Sequence, residues 1–364
     1  DRRQRQMCIR DRNWNNSITK LLNISYPIIQ SPMFGVTTPE MVAAASKVDC
    51  LGSLALADLD QDQCSELIKK TKQLTDKTFA VNIFVHKIPE ITKELKKKYS
   101  KTKRFLKELA LQNQIEVNLP EIDEIKVNSY HEQIDAIISE NCKIVSFTFG
   151  NLDPQSIEKL KSNGTILLGT CTSVNEALIL EQSGIDIICV QGIEAGGHRG
   201  SFTNENIPQI GGLSLLSQVR DSVKTPIIYA GGIYNARTLL AAKTLGADGS
   251  QVGSLLLASE ESALKDFEKQ RLRNLKEDEI ILTKSFSGRY ARGIKNTFIE
   301  AVENSDFILP YPYQNKLTGE LRKASRSQKN SEFVNLWVGQ SINEFCGETT
   351  TEILKNLIKE VEKN

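Results

Sequence analysis

Ile185-Asp-Ile-Ile-Cys-Val-Gln-Gly-Ile-Glu-Ala-Gly-Gly-His198-Arg-Gly-Ser-Phe202 decides how this chain is read. Its first six residues are an almost unbroken apolar, β-branched run, the pattern of a strand buried on both faces and therefore of a parallel sheet. The next residues carry four glycines and one of the three histidines of the chain. Glycines beyond a strand end let backbone approach a ligand closely, and loops at strand ends are where a scaffold carries chemistry. A tight surface turn bearing a solvated histidine is the plainer reading of the same residues.

From Pro27 onward, apolar runs alternate with amphipathic segments of helical period, which predicts βαβ units around a parallel sheet. The strand candidates are Ile28 to Met33, Leu51 to Ala57, Phe79 to Val85, Ile144 to Phe149, Ile166 to Cys171, Ile185 to Val190, Pro226 to Ala230 and Gln251 to Leu256. Eight such units match an α/β fold of the (β/α)8 TIM-barrel type. Gly, Asn, Gln and His at strand ends are spread around all eight units, whereas a doubly wound sheet gathers them at one switch point. The expected organisation is a barrel over residues 14–258, interrupted by a helical insertion or lid at 87–141 after the third strand. A mainly helical C-terminal region, 259–364, is expected to cover the barrel mouth, with an irregular stretch from Pro310 to Thr318 and a charged helix from Thr349. Residues 1–13 contain five arginines and little that joins a core. They are set aside as a non-core tail, either an artefactual addition or a native basic arm.

Lys and Arg number 46 against 45 Asp and Glu, so no global field draws nucleic acid or an anionic membrane. The lysine-rich stretch Lys93 to Lys107 surrounds Leu95, Tyr99, Phe105 and Leu106 and reads as a solvated helix face, with a nucleic-acid or membrane patch as the alternative reading. The seven cysteines sit singly, without metal-ligand spacing, as small buried hydrophobes of a reducing compartment. No apolar run approaches the roughly 18 residues of a membrane helix, and no signal peptide is recognisable. A cytoplasmic protein is expected, with no metal; the sequence leaves monomer or homodimer open.

The seventh and eighth strand ends supply the next signal, Tyr229-Ala-Gly-Gly-Ile-Tyr-Asn235 and Gly249-Ser-Gln-Val-Gly-Ser254. In barrels these two loops commonly hold a phosphate on bare backbone N–H groups, and Gly231, Gly232, Gly253 and Ser254 suit that task. Tight strand-to-helix turns, with Asn235 as an N-cap, are the simpler alternative.

These blocks, together with Tyr26-Pro-Ile-Ile-Gln-Ser-Pro-Met33, Val81-Asn-Ile-Phe84, Val145-Ser-Phe-Thr-Phe-Gly150, Phe286-Ser-Gly-Arg289, Ala291-Arg-Gly293 and Leu336-Trp-Val-Gly-Gln340, resemble those of the nitronate monooxygenases of the class I type. The resemblance runs through nearly the whole chain from Trp14. It implies a barrel that holds FMN and oxidises a small anionic nitronate, such as propionate 3-nitronate, with O2. Pro32 and Met33 would then line the flavin ring, Asn82 and Gln191 would hydrogen-bond it, and Gly196 would let the backbone approach it. Gly231, Gly232, Gln251, Val252, Gly253 and Ser254 would form the phosphate cradle. His198 would stand at the flavin edge as the catalytic residue, giving a hydrogen bond or positive charge to a nitronate or acting as base toward a neutral nitroalkane. Thr148, Tyr311, Tyr313 and Lys316 are substrate candidates. Thr148 stands where many relatives have His, and Ser254 where many have Thr. A related barrel, the NAD(P)H-dependent enoyl-acyl-carrier-protein reductase type, shares the Gly-Gly-His element.

Overall fold

The computed structural model describes residues 14–363, so the expectation for residues 1–13 lies outside the described residues. In chain order the strands are β1 (Ile28–Gln30), β2 (Ser53–Ala57), β3 (Ala80–Phe84), β4 (Ile144–Thr148), β5 (Ile166–Cys171), β6 (Ile187–Gln191), β7 (Gly197–His198), β8 (Ile227–Ala230), β9 (Gly249–Val252), β10 (Ile280–Thr283) and β11 (Ala291–Ile294). Eight of them form one parallel sheet in the order β1-β9-β8-β6-β5-β4-β3-β2. A parallel bridge between Ile29 and Leu51 brings its two ends together. The result is a (β/α)8 barrel.

Strand periodicity explains both the core and the site. Residues at alternate positions face opposite sides of a strand. Leu167, Ile188 and Ile227 therefore pack outward under the helices, while Ile144, Leu168, Ile187, Cys189 and Ile228 fill the barrel interior. Two residues further along each strand, the same inward series reaches Ser146, Thr170, Gln191 and Ala230, so the interior turns polar and small toward the mouth. Most of the barrel strands are returned by a helix with a side-chain cap at its start. Asp60, Asp153, Ser173 and Asn235 cap the helices Gln61–Leu74, Pro154–Ser162, Val174–Gln182 and Ala236–Thr244 by accepting a backbone N–H, each worth about 1 kcal/mol.

Pro32 trims both closing strands. It has no N–H, and the last bond of this ladder runs from Ser31 N to Val252 O at 2.8 Å. Hence β1 ends at Gln30 instead of Met33. The expected strand Gln251 to Leu256 is instead Gly249–Val252, followed by a 3-10 turn at Ser254–Leu256.

The C-terminal region is helical at Asp266–Arg273, Thr297–Val302, Tyr313–Ser327 and Thr350–Lys363, with one addition. An antiparallel hairpin of β10 and β11 extends onto β7, pairing Ala291 with His198 and Arg292 with Gly197. The stretch expected to be irregular from Pro310 to Thr318 is helical from Tyr313, because Pro312 sits at the N-cap, where its missing N–H costs nothing. The helix Lys93–Gln112 lies between β3 and β4, and its Tyr99, Leu106 and Leu109 share a core with Phe286, Phe298, Leu317 and Leu321. Among the described residues no helix is long and apolar enough to cross a membrane, and Cys50, Cys64, Cys142, Cys171 and Cys189 are buried and unpaired.

Candidate functional site

The C-terminal ends of the barrel strands open into one pocket, shared with the segment Tyr311 to Ser341. Of the residues singled out from the sequence, Pro32, Met33, Asn82, Thr148, Gln191, Gly196, His198, Gly231, Gly232, Gln251, Gly253, Ser254 and Tyr311 line it. Three do not. Val252 follows the inward-facing Gln251, so strand alternation turns its side chain into the outer core, where it is fully buried. Tyr313 is buried and donates its hydroxyl to Pro89 O at 2.8 Å, tying its helix to the start of the insertion. Lys316 pairs with Asp58, Nζ to Oδ2 at 2.5 Å, and only Asp58 reaches the pocket.

His198 is held more firmly than a glycine-rich loop suggests. Its backbone is part of β7, and Gln191 braces it from below: Nε2 donates to His198 O at 3.0 Å and Oε1 accepts from Gly200 N at 2.8 Å. Arg199 donates to Gly192 O at 2.6 Å and Gln191 O at 2.9 Å, Arg292 to Ile193 O at 2.9 Å and Arg289 to Ser201 O at 2.5 Å. Gly196 is required here by protein packing, since a Cβ on it would lie 2.5 Å from Gly339 N. The partner in that close approach is the Val338–Gly339 backbone. Around the imidazole stand Phe149, Trp337 and Tyr311, with ring centroids at 5.6, 5.5 and 6.4 Å.

Burial, then the Arg289 and Arg322 guanidiniums, hold the His198 pKa down at about 3. The ring is therefore neutral at pH 7, and positive charge at this end of the pocket belongs to the arginines. Arg322 lines the pocket and donates to Asn315 O at 2.6 Å, Asn315 Oδ1 at 2.9 Å and Asn335 Oδ1 at 3.2 Å. Arg289 lies over the Phe149 ring at 4.2 Å. Among the described residues neither pairs with a carboxylate; the arginine ion pairs are those of Arg220, Arg271 and Arg326. The Tyr311 hydroxyl is buried without a hydrogen-bond partner.

At the other end, Gly231 and Gly232 adopt φ of +131° and +68° after β8. The N–H groups of Gly231, Gly232, Gly253 and Ser254 donate to no acceptor among the described residues. Bare N–H groups converging where two strands end, beside a helix N-terminus, form an anion-binding concavity. These residues fit a phosphate-bearing cofactor. No group of three or more His, Cys, Asp or Glu among the described residues is placed to hold a metal ion.

Sequence reading missed Asp58, Phe149, Ser287, Arg289, Arg322 and Trp337. Ser287, Arg289 and Trp337 lie in quoted blocks, yet nothing local shows that the hairpin carries the first two onto β7 or that Trp337 bridges to Gly293 of β11. Arg322 is one polar residue of an amphipathic helix, and only tertiary packing turns it inward. His86, a residue outside the site as expected from the sequence, packs on Tyr311 at 4.6 Å between ring centroids, and burial lowers its pKa to about 4.

Comparison with known proteins agrees with this geometry. The family model described as nitronate monooxygenase matches residues 15–360. A probable nitronate monooxygenase of Staphylococcus aureus (strain Newman) is 37% identical over 353 residues, 96% of this chain and 98% of that protein. Among solved structures, nitroalkane oxidase from Streptomyces ansochromogenes is similar with a TM-score of 0.86 at 30% identity, over 96% of this chain and 98% of that one. FabK from Thermotoga maritima is similar with a TM-score of 0.73 at 25% identity, over 96% of each chain.

Proposed function

Because the chain belongs to the nitronate monooxygenase family, we propose that it is an FMN-dependent enzyme that oxidises alkyl nitronates, propionate 3-nitronate among them, with O2 to a carbonyl compound and nitrite. The observation that carries this reading is a pocket with unmet demand for negative charge at both ends. Four N–H groups lack acceptors at one end, and Arg322 lacks a carboxylate at the other. A phosphate answers the first and a nitronate the second.

In this reading Gly231, Gly232, Gly253 and Ser254 hold the phosphate through backbone N–H groups. Pro32, Met33, Asn82, Gly196 and Gln251 border the ring system, and Gln191 supports it through the loop it braces. When bound, FMN supplies electron acceptance from the substrate and electron transfer to O2. Arg322 orients the nitronate by its charge, Tyr311 offers its free hydroxyl, and His198 sets the position of the nitro group against the cofactor. Thr148 borders the same space, while Phe149 and Trp337 exclude water from it. The product chemistry fits a cytoplasmic detoxifying role.

A second reading, a NAD(P)H-dependent flavin barrel reductase of the enoyl-acyl-carrier-protein reductase type, draws on the likeness to FabK. Anaerobic titration separates the two. Bleaching of the visible flavin band by an alkyl nitronate and not by NADH is expected; fast bleaching by NADH alone overturns the proposal.

A further inference from the structure

We propose that Ser287 is a positioning residue that holds His198 with its hydrogen on Nε2, leaving the Nδ1 lone pair open to the pocket as an acceptor for the α-proton of a neutral nitroalkane. The inference rests on the nitronate-oxidising reading of the pocket and extends it to uncharged substrates.

Ser287 is buried on the connection between β10 and β11. Its Oγ lies 2.8 Å from His198 Nε2, 3.0 Å from Arg289 O and 3.3 Å from Arg289 N. A hydroxyl has one hydrogen and two lone pairs. Arg289 O only accepts, so it takes the Ser287 hydrogen. Arg289 N–H only donates, so it fills one lone pair. The remaining lone pair faces Nε2, which must therefore carry hydrogen. Reversing the assignment would leave Arg289 O, on a buried residue, without a donor among the described residues, and an unmet buried acceptor is costly. Nδ1 has no protein partner and is not among the sealed polar atoms of the interior. The backbone pairing of His198 with Ala291 and the bond from Gln191 to its carbonyl hold the backbone that carries the imidazole, and the Ser287 contact on Nε2 orients the ring.

The step this permits is a single proton transfer. The α C–H bond of a neutral nitroalkane breaks, its electron pair moves into the nitro group to give the nitronate, and the proton goes to Nδ1. Burial, Arg289 and Arg322 disfavour an imidazolium in the empty pocket, so the step relies on the nitronate charge that forms beside it, and the imidazolium keeps its Nε2–H on Ser287.

The chain has three histidines, so 15N-histidine labelling gives a readable spectrum, with His198→Asn identifying the His198 signals. Hydrogen on Nε2 is expected in the parent protein and in Ser287→Thr, with a mixture of tautomers in Ser287→Ala. Hydrogen on Nδ1 in the parent protein overturns the proposal. In kinetics, Ser287→Ala should lower kcat/KM for neutral nitroethane by about 30-fold or more, within the range of a positioned acid–base group. The loss with ethyl nitronate should be at least about tenfold smaller, and Ser287→Thr should recover most of the nitroethane rate. Equal losses on both substrates, or a parent enzyme that turns over ethyl nitronate and ignores nitroethane, overturn it. A parent protein inert to both counts against the nitronate reading itself, and the tautomer spectrum still decides the role of Ser287.

Discussion

Replacing Arg322 by Met tests the charge logic of the pocket with least disturbance of shape. Arg322 stands on the helix Tyr313–Ser327 and donates to Asn315 and Asn335 while lining the cavity. Two magnitudes bracket its worth to an anionic substrate. A bare Coulomb pair at about 4 Å in an effective dielectric of about 20 gives about 4 kcal/mol, which is a ceiling. Hydrogen bonds to a charged group contribute about 1.5–3 kcal/mol. The lower figure governs, because the guanidinium already shares its hydrogens with two asparagines. About 2 kcal/mol corresponds to a loss of about 30-fold in kcat/KM for an alkyl nitronate. Oxygen uptake measured against nitronate concentration reads this directly, with the flavin spectrum confirming cofactor retention. Arg322→Lys should keep part of the rate, since it keeps the charge and loses the planar fork. A fully loaded Arg322→Met protein within about threefold of the parent kcat/KM would refute the reasoning.

Three further outcomes follow from the same geometry. His198→Asn should retain FMN and lower nitronate turnover by at least about 100-fold, and unchanged steady-state turnover would remove the imidazole from the reaction. Folding stability should fall on acidification from pH 7 to pH 5: the folded pKa of His198 is lowered to about 3 and that of His86 to about 4, so the unfolded chain binds protons first. Each contributes about 2 kcal/mol over that window; urea unfolding at the two pH values measures the loss, and a flat profile contradicts the buried neutral state. Gly196→Ala should destabilise the fold by about 1–3 kcal/mol, because its Cβ would meet backbone at 2.5 Å. A thermal midpoint equal to the parent's would show that the Val338–Gly339 segment yields easily.

The barrel was legible because its strands are buried on both faces and read as apolar runs, as in Ile144-Val-Ser-Phe and Ile187-Ile-Cys-Val. β9 was the hardest to place. Its Gly249-Ser-Gln-Val sequence faces a narrow interior and a polar mouth, whereas the apolar Leu255 and Leu256 that drew the assignment forward belong to a turn. Gln191 closes a strand pattern and Asn82 is the polar residue in the middle of one, and it was the family resemblance that marked both as site residues. The hairpin escaped notice because each arm has four residues and the seven between them are mostly polar. Its consequence for the site is large, since it brings Ser287 to His198 and Arg289 over Phe149. Tyr313 and Lys316 read as site residues only while their segment was taken to be irregular; a helix starting at Tyr313 turns one into the core and the other onto Asp58.

Purifying the protein and following O2 consumption and nitrite release together, with propionate 3-nitronate as substrate and NADH as a parallel control, decides between nitronate oxidation and the reductase reading. The expected result is a protein carrying FMN, O2 uptake that depends on the nitronate, nitrite formed in proportion, and no consumption of NADH. Full FMN occupancy with no nitrite, or oxidation of NADH in place of the nitronate, would contradict it.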